Sequence, residues 1–89
     1  MQKTQSKMVE ALRLADEAVD QELGEKTLQR VISSMARARE KGKTQWWNPA
    51  LCKVETLRQE ALAAAERQDF EAMLMFSAMV LYRTEVTVP

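Results

Sequence analysis

Two carboxylate pairs stand at spacings that chemistry can use. Asp16–Glu17–x–x–Asp20 puts Asp16 and Asp20 one turn apart on one helix face, and Glu66–x–x–Asp69 makes a second pair at i, i+3. Brought face to face, Asp16, Asp20, Glu66 and Asp69, with Glu17 beside them, would hold Mg²⁺ for nucleotide hydrolysis, because that ion takes oxygen ligands and accepts a phosphate as co-ligand. Asp69 also stands where a helix needs an N-cap, and one carboxylate does not easily do both. We therefore keep the magnesium hydrolase as the alternative. The chain has no histidine, which removes the commonest general base, the commonest metal ligand and the usual triads. Its single cysteine, Cys52, excludes an internal disulfide and any multi-cysteine zinc site. A helix N-terminus would lower the pKa of that thiol, but a lone cysteine is more often a small buried hydrophobe. We expect no catalytic residue, no resident metal and no cofactor.

The second candidate is a basic and aromatic segment. Residues 1–25 carry three basic and six acidic side chains, residues 26–53 seven and one, and residues 54–89 three and six. The middle cluster is Lys26, Arg30, Arg37, Arg39, Lys41, Lys43 and Lys53, with Trp46 and Trp47 among its last members. Arg and Trp are enriched at binding hot spots. Cations beside aromatics also suit single-stranded nucleic acid, through phosphate neutralisation and base stacking. The plain alternative is that this stretch lies against the acidic first segment and the tryptophans close one end of the molecule. Thirteen cations balance thirteen anions, and the pI is near 6.3. That balance places nucleic acid behind a protein partner. Trp46, Trp47, Arg37, Arg39, Lys41 and Lys43 are the expected partner-binding residues.

What must position these groups is helical. Two Gly and two Pro in 89 residues are too few for a turn-rich β fold, and 46% hydrophobic with 29% charged residues describes one folded domain. Met8, Leu12, Ala15, Val19 and Leu23 form an apolar stripe, so a first helix is expected over 6–23, capped by Ser6 and preceded by a frayed end. Gly24 suits a C′ position, and two helices are preferred to one long helix that tolerates it. A second helix, 27–41, carries Leu28, Val31, Ile32, Met35 and Ala38 on one face and stops at Gly42. Asn48–Pro49, an Asn cap followed by Pro at the first helical position, opens a third over 49–67. Its ALAAAE run permits a close helix–helix approach.

The last helix, 69–83, is the most apolar part of the chain. From Met73 to Tyr82 only Ser77 interrupts the apolar run. Phe70, Met73, Leu74, Ser77, Val80 and Leu81 share one face. Met75, Phe76, Met79 and Tyr82 widen the apolar surface round most of the circumference, and we assign these four to an interface with a second copy, because so small a domain has little interior. The tight Gln68–Asp69 joint makes an αα-hairpin. The tail, 84–89, is expected to be loose or to add as a strand to another chain. The N-terminus shows no signal peptide, and the last helix is too short for a membrane span.

Trp47–Asn48–Pro49, then Cys52–x–Val54–Glu55–x–Leu57, then Asp69, then Phe76–x–x–Met79 form a spaced series. Over residues 40–83 it resembles short phage and prophage accessory proteins, and the N-terminal domain of phage proteins described as dATP/dGTP diphosphohydrolases. That family has Lys-Gly-Asp-Pro where this chain has Arg67–Gln68–Asp69–Phe70, and carries a His in its third helix that this chain lacks. The resemblance implies origin and extends the alternative reading to a nucleotide pyrophosphohydrolase or its inactive relative; the matched positions look like fold determinants. The expectation is an all-α single domain over 1–89, a three- or four-helix bundle and a homodimer. It would work in the bacterial cytoplasm, binding and occluding a host protein of a defence or regulatory system.

Overall fold

The computed structural model describes the backbone of residues 2–85 and the side chains of residues 5–85. Three helices succeed one another: α1 (Gln2–Glu40), α2 (Val54–Glu66) and α3 (Phe70–Glu85), with no strand among the described residues. The fold is all-α.

The first correction concerns α1. The helices expected over 6–23 and 27–41 are one unbroken helix of 39 residues. At 1.5 Å per residue it is about 58 Å long, close to the longest molecular dimension of 62 Å. Gly24 does not stop it, since a glycine inside a helix costs only about 1 kcal/mol against alanine. No proline lies nearby, and Glu22 pairs with Lys26 at 3.0 Å across the glycine. The helix already runs at Gln2, so residues 2–5 are helical where fraying was expected; Met1 lies outside the described residues.

Gly42 does end the helix. Its φ is +83°, in the left-handed region that glycine enters freely. Lys43 N–H donates to the Ala38 carbonyl at 2.9 Å and Gly42 N–H to the Arg39 carbonyl at 2.9 Å, the paired bonds of a Schellman stop.

Asn48–Pro49 does not open the next helix. The Asn48 side chain accepts a hydrogen bond from Ala50 N–H at 3.0 Å, and the Asn48 carbonyl accepts from Leu51 and Cys52 at 3.0 and 2.9 Å. One turn forms and halts, because the Cys52 carbonyl is taken by the Arg83 side chain of α3. α2 then starts at Val54 with no side-chain cap from Lys53.

α2 closes with the same stop as α1, but with Gln68 at φ +60° in place of a glycine. Gln68 N–H donates to Ala65 and Asp69 N–H to Ala64, at 3.0 and 2.9 Å. Asp69 then caps α3, its Oδ1 accepting from Ala72 N–H at 3.1 Å. The hairpin is as tight as expected, and Ala64 is fully buried in it.

α3 is the central element. It packs on α2 along the hairpin and on the C-terminal part of α1, while the backbones of α1 and α2 stay apart from each other. Leu57, Met75 and Met79 form the buried centre, joined by Met35, Ala38, Trp46, Cys52, Phe76 and Val80. This brings part of the expected interface of α3 inward, while Val80 of the expected core face also packs on the core. Met75 and Met79 belong to the core of the single chain, 7% and 5% exposed, and Phe76 packs on them. The exposed side carries Phe70, Ser77 and Leu81. A helix apolar nearly all round has no periodic signal that says which side turns inward. Tyr82, the fourth residue assigned to an interface, is half exposed at the edge of the core. Thr84 and Glu85 are helical, and the rest of the expected tail lies outside the described residues.

Candidate functional site: a cleft between α1 and α2

Because α1 and α2 both lean on α3 with their backbones apart, a cleft remains between them. Its outer part, about 400 Å³, is lined by Arg37, Lys41, Lys43, Arg67, Glu60, Asp69 and Glu71 around Ala38, Met75 and Phe76. The inner part, about 260 Å³, continues from Ala38, Lys43 and Glu60 to Trp46, Cys52, Leu57 and Met79. The floor is apolar, supplied by α3 and Leu57. Cations of three elements (the end of α1, the loop after it, the end of α2) stand on the rim. Such a shape holds an amphipathic segment, with apolar side chains down and carboxylates up.

One wall is fixed by a small polar network. Ser34, the one buried polar residue among those described, donates from Oγ to Glu71 Oε1 at 2.6 Å. Arg30 donates to the other carboxylate oxygen at 3.3 Å, and Arg37 pairs with the same carboxylate while lying 3.3 Å from Ser34 Oγ. Glu71 is two thirds buried, at the positive end of α3, so these bonds are worth more than open surface pairs. The network sets the position of α1 on α3.

The other end is held by Arg83. Its Nη1 donates to the carbonyls of Trp46 at 2.7 Å and Cys52 at 2.8 Å. One guanidinium thus closes the loop between α1 and α2 into a clasp and presents the tryptophans. Trp46 stands edge-on to Tyr82, ring centroids 5.4 Å apart and planes at 73°. Beside it, Met35, Trp46, Trp47, Ala78, Met79 and Tyr82 line a second recess of about 370 Å³. Trp47 is 51% exposed there.

The six expected partner-binding residues therefore divide. Arg37, Lys41 and Lys43 line the cleft; Trp46 borders both cleft and recess; Trp47 borders the recess alone. Arg39 is exposed and lines neither. Cys52 is partly buried against the core.

The carboxylates of the hydrolase alternative do not converge. Asp16 and Asp20 lie on the part of α1, residues 5–26, where every side chain is exposed, and Glu66 and Asp69 bracket the α2–α3 joint. No three Asp, Glu or Cys side chains among the described residues are grouped to share a metal ion. Asp69 spends its Oδ1 on the cap.

Ser34, Glu71 and Arg83 were not singled out as site residues. Glu71 and Arg83 read in sequence as charges suited to the two ends of a helix dipole, and their partners lie 31 to 41 residues away. No local pattern announces such bonds. Comparison with protein-family models, with curated proteins and with solved structures finds no match to this chain. No helix among the described residues is long and apolar enough to cross a membrane.

Proposed function

We propose that this chain is a non-enzymatic interaction protein that takes an acidic, amphipathic segment of a host protein into the cleft between α1 and α2 and thereby occludes it. The observation that carries this reading is the pairing of an apolar floor, Leu57, Met75, Phe76 and Met79, with a rim of Arg37, Lys41, Lys43 and Arg67. Apolar anchors supply affinity, and the rim cations set orientation and association rate. Glu60, Asp69 and Glu71 on the same rim leave a modest positive excess, which matches a protein segment with a few carboxylates better than a nucleic-acid backbone. The resemblance of residues 40–83 to phage and prophage accessory proteins supplies the setting we infer: the bacterial cytoplasm, and a defence or regulatory protein as target.

The test is affinity capture from bacterial lysate, with and without nuclease, using wild type and Lys41→Glu/Lys43→Glu. Both lysines are exposed, so the double variant keeps the core. The expected result is a stoichiometric protein that survives nuclease, is lost in the variant, and binds more slowly as salt rises. Capture that disappears with nuclease, or a partner held equally by the variant, would refute the cleft as the site.

A further inference from the structure

Residues 5–26 of α1 stand clear of the hairpin: every side chain is exposed, and their polar contacts, Arg13 to Glu10 and Glu17 and Glu22 to Lys26, stay within the stretch. An isolated helix of this length is marginal in water without a packed face. This one carries such a face. Met8, Leu12, Ala15, Val19 and Leu23 lie within about a quarter of a turn of one another, and the four large ones are 60–66% exposed. Asp16 and Asp20 flank the stripe on one side and Glu22 on the other. Neither aspartate pairs with a cation among the described residues. The molecule is correspondingly open. It exposes 7395 Å², where a monomer of its 10.2 kDa exposes about 5,300 Å². The excess of about 2,000 Å² is more than twice what one partner gives up in a standard interface, about 800 Å².

We propose that the N-terminal half of α1 in one copy occupies the cleft between α1 and α2 of a second copy, and that the second copy reciprocates. This rests on the cleft reading above and gives the cleft a resting occupant, which a host segment must displace.

Shape and charge both select this occupant. α1 and α2 pack on α3 with their backbones apart, which leaves the fourth position of a four-helix bundle vacant. A helix laid there turns its stripe onto Ala38, Met75 and Phe76 and brings Asp16 and Asp20 to the rim lysines. Arg30 and Arg37 are held by Glu71 and contribute nothing to the pairing. Lys41 and Lys43 are exposed and bound to no carboxylate among the described residues. Residues 5–25 carry six anions and two cations, so the chain itself supplies the acidic, amphipathic helix that its cleft fits.

The exchange also closes on itself. Arg37 and Lys41, on the cleft wall, lie in the same quarter of the α1 surface as the stripe. The donated half and the receiving wall are therefore two stretches of one face. A two-fold axis near Lys26 and Thr27 turns the two rods antiparallel and sets each free half against the other's wall, the self-complementary contact of a closed dimer. The two seats, near residues 15 and 38, are about 35 Å apart along the rod and do not compete for space. On the axis Lys26 keeps Glu22 beside it, so its charge meets its counterpart already paired.

The test is sedimentation equilibrium without any host protein. Wild type should sediment at twice the 10.2 kDa of one chain and dissociate more readily as salt rises. Leu12→Asp/Val19→Asp changes two exposed residues and should weaken the dimer by about a hundredfold or more, at roughly tenfold per 1.4 kcal/mol. Asp16→Lys/Asp20→Lys and Lys41→Glu/Lys43→Glu should each weaken self-association by about tenfold or more, because like charges then face each other. Mixed together, these last two chains should form a heterodimer, since each helix again meets a rim of opposite charge; that recovery shows both chains folded. A monomer at all concentrations, a dimer unweakened by Leu12→Asp/Val19→Asp, or no recovery on mixing the two charge variants would each overturn the proposal. Any of those results leaves the host-segment reading standing, because lysate capture tests that reading separately.

Discussion

Replacing Arg83 by methionine keeps the unbranched stem and removes only the guanidinium, so it isolates the clasp on the Trp46 and Cys52 carbonyls. Each lost bond is a hydrogen bond from a charged donor, worth about 1.5–3 kcal/mol net. Arg83 is partly buried, so water reaches the freed carbonyls in part, and the lower end applies: about 3 kcal/mol for two. The side chain regains rotamer entropy worth about 1 kcal/mol. The expected loss is about 2 kcal/mol, a large share of the stability of a domain this small, and a fall in Tm of about 10 °C. Urea unfolding followed by tryptophan emission and by far-ultraviolet circular dichroism reads it. In the variant the emission should shift to the red at lower urea than the helix signal falls, because the tryptophan loop opens before the hairpin melts; in wild type the two curves should coincide. A variant within about 0.5 kcal/mol of wild type, with unshifted emission, would refute the claim that one side chain organises the loop.

Gly24→Ala should stabilise the protein by about 0.5–1 kcal/mol, since the position is helical and a Cβ there meets nothing within 4 Å; a higher urea midpoint checks it. Gln68→Gly should stabilise by about 1 kcal/mol, because glycine takes the φ of +60° without the Cβ clash, and an unchanged midpoint would show that the turn relaxes. Glu71→Gln should cost about 1–2 kcal/mol by loosening Arg30, Arg37 and Ser34 together. Faster amide exchange in residues 30–38, with the α2–α3 hairpin still protected, would place the loss at the α1 contact.

Local chemistry was legible in the sequence and distant chemistry was not. Asp69 caps α3 and Gly42 stops α1 as expected, because each depends on a few neighbouring backbone groups. Gly24 misled for the complementary reason: a glycine permits a stop, and its C-terminal neighbours decide whether the chain takes it. After Gly42 come a second stop bond and a loop fastened by Arg83; after Gly24 come Glu25, Lys26 and Leu28, which continue the helix. The opening of α2 moved from Pro49 to Val54 because Arg83 takes the Cys52 carbonyl.

The site was half legible. The aromatic and basic composition marked a segment that lines much of the cleft, yet Arg37 and Arg39, two residues apart, point about 160° from each other on a helix. One meets Glu71 at the cleft and the other faces solvent. The assignment of Met75 and Met79 failed because α3 offers apolar side chains in every direction, so only its neighbours choose the buried side.

The seat of α1 on Glu71 also gives the molecule a mechanical advantage. From Arg30, its outermost contact with Glu71, the helix runs on for about 38 Å to Gln5, while its grip through Arg30, Ser34 and Arg37 spans only about two turns. Tilting α1 by about 10° at that short seat would sweep Gln5 through about 7 Å, by simple proportion over that length. An event in the cleft small enough to disturb only the Ser34–Glu71–Arg37 contact would thus be read as a large displacement at the far end of the rod.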